Sequence, residues 1–187
     1  QRDVGGLVGY TDGSISVSYS SGAVSGVTNV GGLVGDAFSD PFGFGDPVLD
    51  SYWNITTSGQ AASAGGGTGL TDAEARQQSS YTGFDFTDNW IMYEGISQPL
   101  LRSMLTPFIV TVDDQSKTYD ATLFTGFTAT ESKDPRPGVI TGTLSFAGAG
   151  TTATNAGNHT VSASGLDLTT AGKLDQQGYF IQYMDGT

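Results

Sequence analysis

The chain contains no cysteine, which removes a disulfide framework, a thiolate zinc site and a cysteine nucleophile. It contains one histidine, His159, so a Ser-His-Asp arrangement would have to pass through that residue alone. Basic residues are scarce: 7 Lys and Arg stand against 19 Asp and Glu, a formal charge of −12 and a pI near 4.1. Nucleic acid and anionic membrane surfaces both require clustered Lys and Arg, so neither is an expected partner. Charged residues make up only 14% of the 187 positions, against the usual quarter. No run of five like charges marks an acidic tail, and no apolar run approaches the ~20 residues of a membrane helix, so no membrane insertion is expected. The chain begins Gln1-Arg2-Asp3, without signal-peptide character, and it begins inside a repeat, which reads as a fragment of something longer.

Glycine is what the sequence has in excess, at 28 residues, alongside ten Phe, eight Tyr and two Trp. The hexad Val4-Gly5-Gly6-Leu7-Val8-Gly9 returns as Val30-Gly31-Gly32-Leu33-Val34-Gly35, an offset of 26. A fixed period of this size is the signature of a solenoid or array. Between the copies, Ser14-Ile15-Ser16-Val17-Ser18-Tyr19 alternates polar and apolar residues, a half-buried strand. A 26-residue coil of short strands is what a parallel β-helix needs, each coil stacking on the last at about 4.8 Å. The structural residues are then Gly5, Gly6, Gly9, Gly31, Gly32 and Gly35, where a β-carbon would block close backbone approach.

Residues 36–70 read as an irregular continuation, with a turn-rich loop at residues 40–47, a strand at Asp50-Ser51-Tyr52-Trp53-Asn54-Ile55, and a flexible link at Gly65-Gly66-Gly67-Thr68-Gly69. Thr71-Asp72-Ala73-Glu74 is a capping-box pattern and predicts a short helix of two turns at most. The aromatic run from Phe84 to Met92 is expected to lay rings over the open end of the coil. A boundary falls near Pro99 to Pro107. The division is 1–105, a solenoid end with a cap, and 106–187, a second domain. In the second, strands are expected at 109–112, 123–130, 138–146, 160–164 and 179–183, with turns at residues 134–138 and 155–158. Strands without intervening helices predict a small antiparallel sandwich-like domain. The fold class is all-β.

Residues 4–35 resemble the GLUG repeat of large secreted bacterial adhesins, carried by the two GGLVG motifs and the intervening Ser18-Tyr19-Ser20-Ser21-Gly22. The stretch from Ser51-Tyr52-Trp53-Asn54 to Leu101-Arg102-Ser103 is similar to the segment that ends such arrays. Residues 108–187 resemble the MBG domain of the same proteins, through Lys117-Thr118-Tyr119-Asp120-Ala121-Thr122, Gly142-Thr143-Leu144-Ser145-Phe146, Asn155-Ala156-Gly157-Asn158-His159-Thr160-Val161 and Tyr183-Met184-Asp185-Gly186-Thr187. Ala121 departs from a common Gly and His159 from a common Tyr. The resemblance implies filamentous-haemagglutinin-like exoproteins, exported by an outer-membrane transporter in the two-partner route, forming β-helical fibres at the cell surface or in biofilm matrix.

Reactive chemistry has few candidates. Asp is plentiful, but no patterned carboxylate pair of the kind glycoside cleavage needs stands out, and Glu74 has a capping explanation. Calcium suits oxygen ligands on flexible loops, and Asp40, Asp46, Asp50, Asp113 and Asp114 are the candidates; no EF-hand or Gly-Gly-x-Gly-x-Asp repeat accompanies them, and capping of turns is the ordinary role of such residues. Asn54-Ile55-Thr56 and Asn158-His159-Thr160 are sequons. Tyr52, Trp53, Phe84, Phe86, Trp90 and Tyr93 could stack on sugars, though rings packing across a solenoid end are commoner. The expected function is a rigid adhesive stalk or fibre segment, secreted or at the bacterial surface, with no enzymatic activity and with neighbouring repeats as partners. Surface glycans or matrix polysaccharide are further expected partners. The alternatives are a carbohydrate-binding or polysaccharide-cleaving module and a self-polymerising fibre subunit.

Overall fold

The computed structural model describes residues 1–38, 48–132, 139–170, 173–174 and 178–187. Strand makes up 41% and helix 10% of the chain, so the protein is all-β. It divides into two compact units, Gln1–Leu101 and Arg102–Thr187.

In the first unit, strands β1 (Arg2–Gly5) and β2 (Val8–Thr11) carry the first hexad, and β5 (Thr28–Gly31) and β6 (Val34–Ala37) carry the second; β3 (Ile15–Ser16) and β4 (Tyr19–Ser20) lie between. β1 pairs parallel with β5, matching Val4 to Val30 and Gly5 to Gly31. β2 pairs parallel with β6, matching Val8 to Val34. Each residue meets its own counterpart in the other copy, so one GGLVG motif lies directly over the other. β7 (Val48–Asn54) continues this second layer, and β3 and β4 pair parallel with it, Ile15 with Val48 and Tyr19 with Tyr52. A third layer follows. Gly32 N–H donates to the Ala62 carbonyl (2.9 Å), Ala64 N–H donates to that of Val34 (3.0 Å), and β8 (Gly66–Leu70) pairs parallel with the far side of β7. The unit ends in a short antiparallel pair, β9 (Trp90–Ile91) with β10 (Leu100–Leu101). The resulting sheets are small, of two to four strands.

The stretch expected to be a flexible link is therefore mostly strand. Its glycines permit this: Gly67 has φ +87°, and a β-carbon there would sit 3.0 Å from the Ser51 carbonyl. The chain bends sharply at residues that are not glycine. Asp3 and Asn29 both have φ 52°, and Val17 and Asp50 have φ 49° and 45°. Asp3 and Asn29 occupy equivalent places in adjacent layers, as do Val17 and Asp50. A valine in this region costs roughly 1–3 kcal/mol and persists only where its surroundings dictate it.

Inside the layers Leu33, Val34, Val48 and Trp53 form one apolar cluster, against which Ile15, Ala37, Ile55 and Ala64 pack. Tyr52, Leu70, Ala75, Tyr81, Phe84 and Trp90 form a second. The helical expectation is corrected. The α-helix is one turn, Ile55–Ser58, capped by Asn54 Oδ1 accepting from Thr56 N–H (2.9 Å) and Thr57 N–H (3.1 Å). The capping-box contacts at Thr71 do form, with Glu74 Oε2 accepting from the Thr71 amide and hydroxyl at 2.8 Å each, but only 3₁₀ turns follow, Glu74–Arg76 and Gln78–Ser80. The carbonyls that would extend an α-helix are taken by tertiary partners: Ala75 by the Tyr81 hydroxyl (2.8 Å) and Arg76 by the Gly95 amide (2.8 Å).

In the second unit β11 (Thr106–Val112) is central, with β12 (Ala129–Glu131) antiparallel on one side and β17 (Tyr179–Met184) parallel on the other. β13 (Thr141–Ala147) and β14 (Ser162–Asp167) form an antiparallel pair with an irregularity between Gly142 and Ser145. β15 (Thr169–Thr170) and β16 (Lys173–Leu174) make a further short antiparallel pair. The expected antiparallel domain is corrected to a mixed one, because its first and last long strands run side by side in the same direction. Alternation along β11 puts Phe108, Val110 and Val112 into a core with Val161 and Ala163. Of the strand expected at 123–130, only the end forms, as part of β12; at its start the Lys117 ammonium donates to the Thr122 and Leu123 carbonyls at 3.1 and 3.5 Å. The turn expected at 134–138 lies outside the described residues.

The two copies of one leucine make a matched pair for measurement. Leu33 is 0% exposed and Leu7 46%. Leu33→Ala is expected to lower the stability of the first unit by about 2–5 kcal/mol and Leu7→Ala by less than ~1 kcal/mol, read as shifts in the denaturant midpoint.

Candidate functional site

The repeat glycines are the most constrained positions of the first unit. None has a left-handed φ; what they provide is clearance. A β-carbon on Gly5 would overlap the Val8 carbonyl and lie 2.6 Å from the Leu33 carbonyl of the next layer. On Gly35 it would lie 2.5 Å from Val4 N and 2.6 Å from the Gly9 carbonyl, on Gly6 it would overlap the Gly32 carbonyl, and on Gly32 the Trp53 indole. On Gly31 it would overlap the Val34 carbonyl and on Gly9 that of Asp3. Polar atoms trapped between layers are satisfied: the buried Ser20 hydroxyl donates to the Gly32 carbonyl (2.7 Å) and Trp53 Nε1 to that of Gln60 (2.9 Å). At the outer corner Asn29 Nδ2 donates to Asp3 Oδ1 (2.7 Å) and Asp36 Oδ2 (3.1 Å), tying the two left-handed bends together.

The aromatic side chains of the 52–90 cluster are packed, whereas Tyr10 and Phe38 are 53% and 56% exposed. Trp53 and Trp90 are 6% and 9% exposed. Tyr52, Tyr81, Phe84 and Trp90 meet at ring-centroid distances of 4.6–5.7 Å, and the tyrosine hydroxyls reach backbone carbonyls: Tyr19 to Pro99 (2.6 Å), Tyr52 to Thr82 (3.0 Å). Burial, then the neighbouring Tyr19 and Tyr52, push the Tyr81 hydroxyl well above its ordinary range. The sequon at Asn54 is engaged the same way: the side chain is 2% exposed, its oxygen caps the helix and its Nδ2 donates to Asp72 Oδ1 (3.1 Å). Asn158 is exposed.

The second unit holds a cleft of about 300 Å³. Two loops named by the sequence motifs form it: 113–128 after β11, and 149–160 ahead of β14. Half-buried Phe124 and Phe127 meet edge to face at 4.9 Å, and Tyr119 stands 64% exposed. The cleft carboxylates are committed to holding the loops. Asp113 accepts from the Thr128 and Thr130 hydroxyls (2.7 and 2.8 Å), which hold its carboxyl below the ordinary range. Asp120 pairs with Lys117 (2.7 Å) and accepts from the Thr122 hydroxyl (2.7 Å) and amide (2.9 Å); the Lys117 contact, then Thr122, lowers it to about 2. Asp114 Oδ1 accepts from the Thr187 amide (2.9 Å). His159 Nε2 faces the Asn155 carbonyl at 3.1 Å, an arrangement that orients the ring within its own loop.

Of the calcium candidates, Asp50 is in β7 of the first unit, Asp113 and Asp114 are in the second, and Asp40 and Asp46 lie outside the described residues. No group of three or more His, Cys, Asp or Glu that could hold a metal ion occurs among the described residues. No family model, curated protein or solved structure matches the chain.

Sequence reasoning missed the meeting of the Lys117–Asp120 loop with the 155–159 loop, and it missed the left-handed corners. The signal for the corners was present: Asp3 and Asn29, residue types that tolerate this conformation, recur at the repeat spacing.

The Asp120 carboxyl is expected to titrate near 2 by NMR, and Lys117→Met to return its midpoint toward the ordinary ~4. Because the folded value is depressed, the contribution of this group to stability is fully present above the unfolded value and disappears as pH falls from ~4 through about 2.

Proposed function

We propose that the chain is a structural and adhesive segment of a large secreted bacterial surface or biofilm-matrix protein of the filamentous-haemagglutinin-like kind. In this reading the first unit is the terminal part of a parallel β-solenoid and the second an MBG-like β-domain. The observation that carries the reading is the in-register parallel stacking of two identical hexads, Val4–Gly9 on Val30–Gly35, continued by a third layer. Stacked layers turn each strand's outward hydrogen-bonding groups into a ladder along the stack, so stiffness needs no reactive group. The aromatic cluster then acts as the plug that covers one part of the stack, and the net charge of −12 keeps such a segment soluble.

A carbohydrate-binding reading has one specific support, the exposed Tyr119 in the wall of the second-unit cleft, which mixes polar and apolar side chains, since sugars stack on aromatic faces while polar groups fix their orientation. The buried state of Trp53 and Trp90 removes those two rings from it.

Two measurements separate the readings. Pulled end to end in a single-molecule force experiment, the first unit is expected to resist and to release contour in steps, about 90 Å for the 26-residue spacing between the hexads at ~3.5 Å per residue; extension along the unfolded-chain curve with no rupture event would overturn the structural reading. On a glycan array the stalk gives no specific signal, whereas binding abolished by Tyr119→Ala would transfer the weight to carbohydrate recognition.

A further inference from the structure

We propose that the folded chain presents Asn158 as an acceptor for N-linked glycosylation and withholds Asn54, the residue of the other acceptor sequence. The proposal concerns a modification site in the second unit and stands apart from the stacked-layer reading.

Asn54-Ile55-Thr56 and Asn158-His159-Thr160 meet the same rule, an amide followed two residues later by a hydroxyl. In an extended chain residues two apart share a face, so an extended sequon offers its amide and its hydroxyl to the same side. Residues 158–161 have that form. Asn158 and Thr160 are exposed, His159 between them is half-buried, and Val161 is 3% exposed. Among the described residues, neither the Asn158 amide nor the Thr160 hydroxyl is engaged in a hydrogen bond. The loop is anchored at its ends, where Gly150 N–H donates to the Thr160 carbonyl (3.0 Å) and Val161 and Gly186 exchange backbone hydrogen bonds (2.9 Å each). Between the anchors, His159 Nε2 faces the Asn155 carbonyl. Lifting Asn158 into an enzyme therefore disturbs that one contact and leaves β14 and the core around Val110 in place.

Asn54 carries the same tripeptide in the opposite state. Ile55 and Thr56 belong to the helical turn, so the sequon is not extended. The Asn54 side chain is buried, with its oxygen capping the helix and its nitrogen donating to Asp72. The Thr56 hydroxyl is taken as well, accepting the Asp72 amide (3.3 Å). Exposing Asn54 breaks the cap and separates the end of β7 from its partner Leu70 in β8.

The co-reactant is a sugar activated through a diphosphate. A bond forms between Asn158 Nδ2 and the anomeric carbon, the bond from that carbon to the diphosphate oxygen breaks, the diphosphate leaves with the electron pair, and one Nδ2 proton passes to a base of the transferase.

The test uses the full folded chain and a soluble N-glycosyltransferase, with its sugar nucleotide, that modifies synthetic peptides of both sequons. Mass spectrometry of digested samples gives the rate at each site, and each rate is divided by that of the corresponding peptide. A ratio for Asn158 that exceeds the ratio for Asn54 by about tenfold or more supports the proposal, since reaction at Asn54 must wait for local unfolding. A smaller difference, or no sugar on Asn158, overturns it. Thr160→Val is expected to abolish the modification and Asn158→Gln to remove it, both with an unchanged denaturant midpoint; sugar on Asn158 in the Thr160→Val chain at the unaltered rate would also overturn it.

Discussion

Backbone-to-backbone contact between the two glycine hexads sets the geometry of the first unit. Gly5, Gly6, Gly31, Gly32 and Gly35 leave no room for a methyl group, and the layers close to strand-pairing distance only because those positions have no side chain. From that contact follow the burial of Leu33 and Val34, the seating of the Trp53 indole against Gly32, and the placement of Ser63, whose hydroxyl accepts the Val34 amide (2.8 Å). Left-handed bends at Asp3, Asn29, Val17 and Asp50 are the conformational cost of folding each layer back over the next.

The second unit is organised differently. Its core comes from one strand, β11, flanked by partners of opposite directions, and its long loops are held by side chains. Lys117 gathers the Thr122 hydroxyl, the Thr122 and Leu123 carbonyls and the Asp120 carboxylate, and Asp113 clamps Thr128 and Thr130. Exposed charged pairs of this kind contribute little to global stability in water; their effect is to fix the walls of the cleft.

The repeat register was legible because an identical hexad at a fixed offset can stack in few ways, and the strand at 50–55 was legible from its aromatic and β-branched content. The third layer was not: Ala62-Ser63-Ala64 and Gly65-Gly66-Gly67 have the composition of a linker and become ordered only because Val34 and β7 offer them hydrogen bonds. The helix after Thr71 was over-read for the same reason in reverse, since its local capping signal formed while Tyr81 and Gly95 took the carbonyls needed to extend it. In the second unit, the β-branched run at 109–112 announced the later part of β11, but direction is invisible to composition, and the parallel pairing of β11 with β17 follows from connections between distant segments. The cleft depends on two loops far apart along the chain, and nothing local in either foretells the other.

The matched registers of Val4 with Val30 and Val8 with Val34 have a consequence for how such a chain can change length. Deleting one residue inside a hexad would turn the side chains beyond it to the opposite face and drive Cβ atoms into the spaces the glycines keep clear. Gaining or losing a complete repeat leaves each contact as it was. Length is therefore fixed at the hexads and free between the strands: β3 and β4 meet β7 at an offset of 33 residues while the hexads meet at 26, so the second layer takes seven more residues between Ala37 and Val48 and still stacks, and insertions survive where no glycine holds two backbones together.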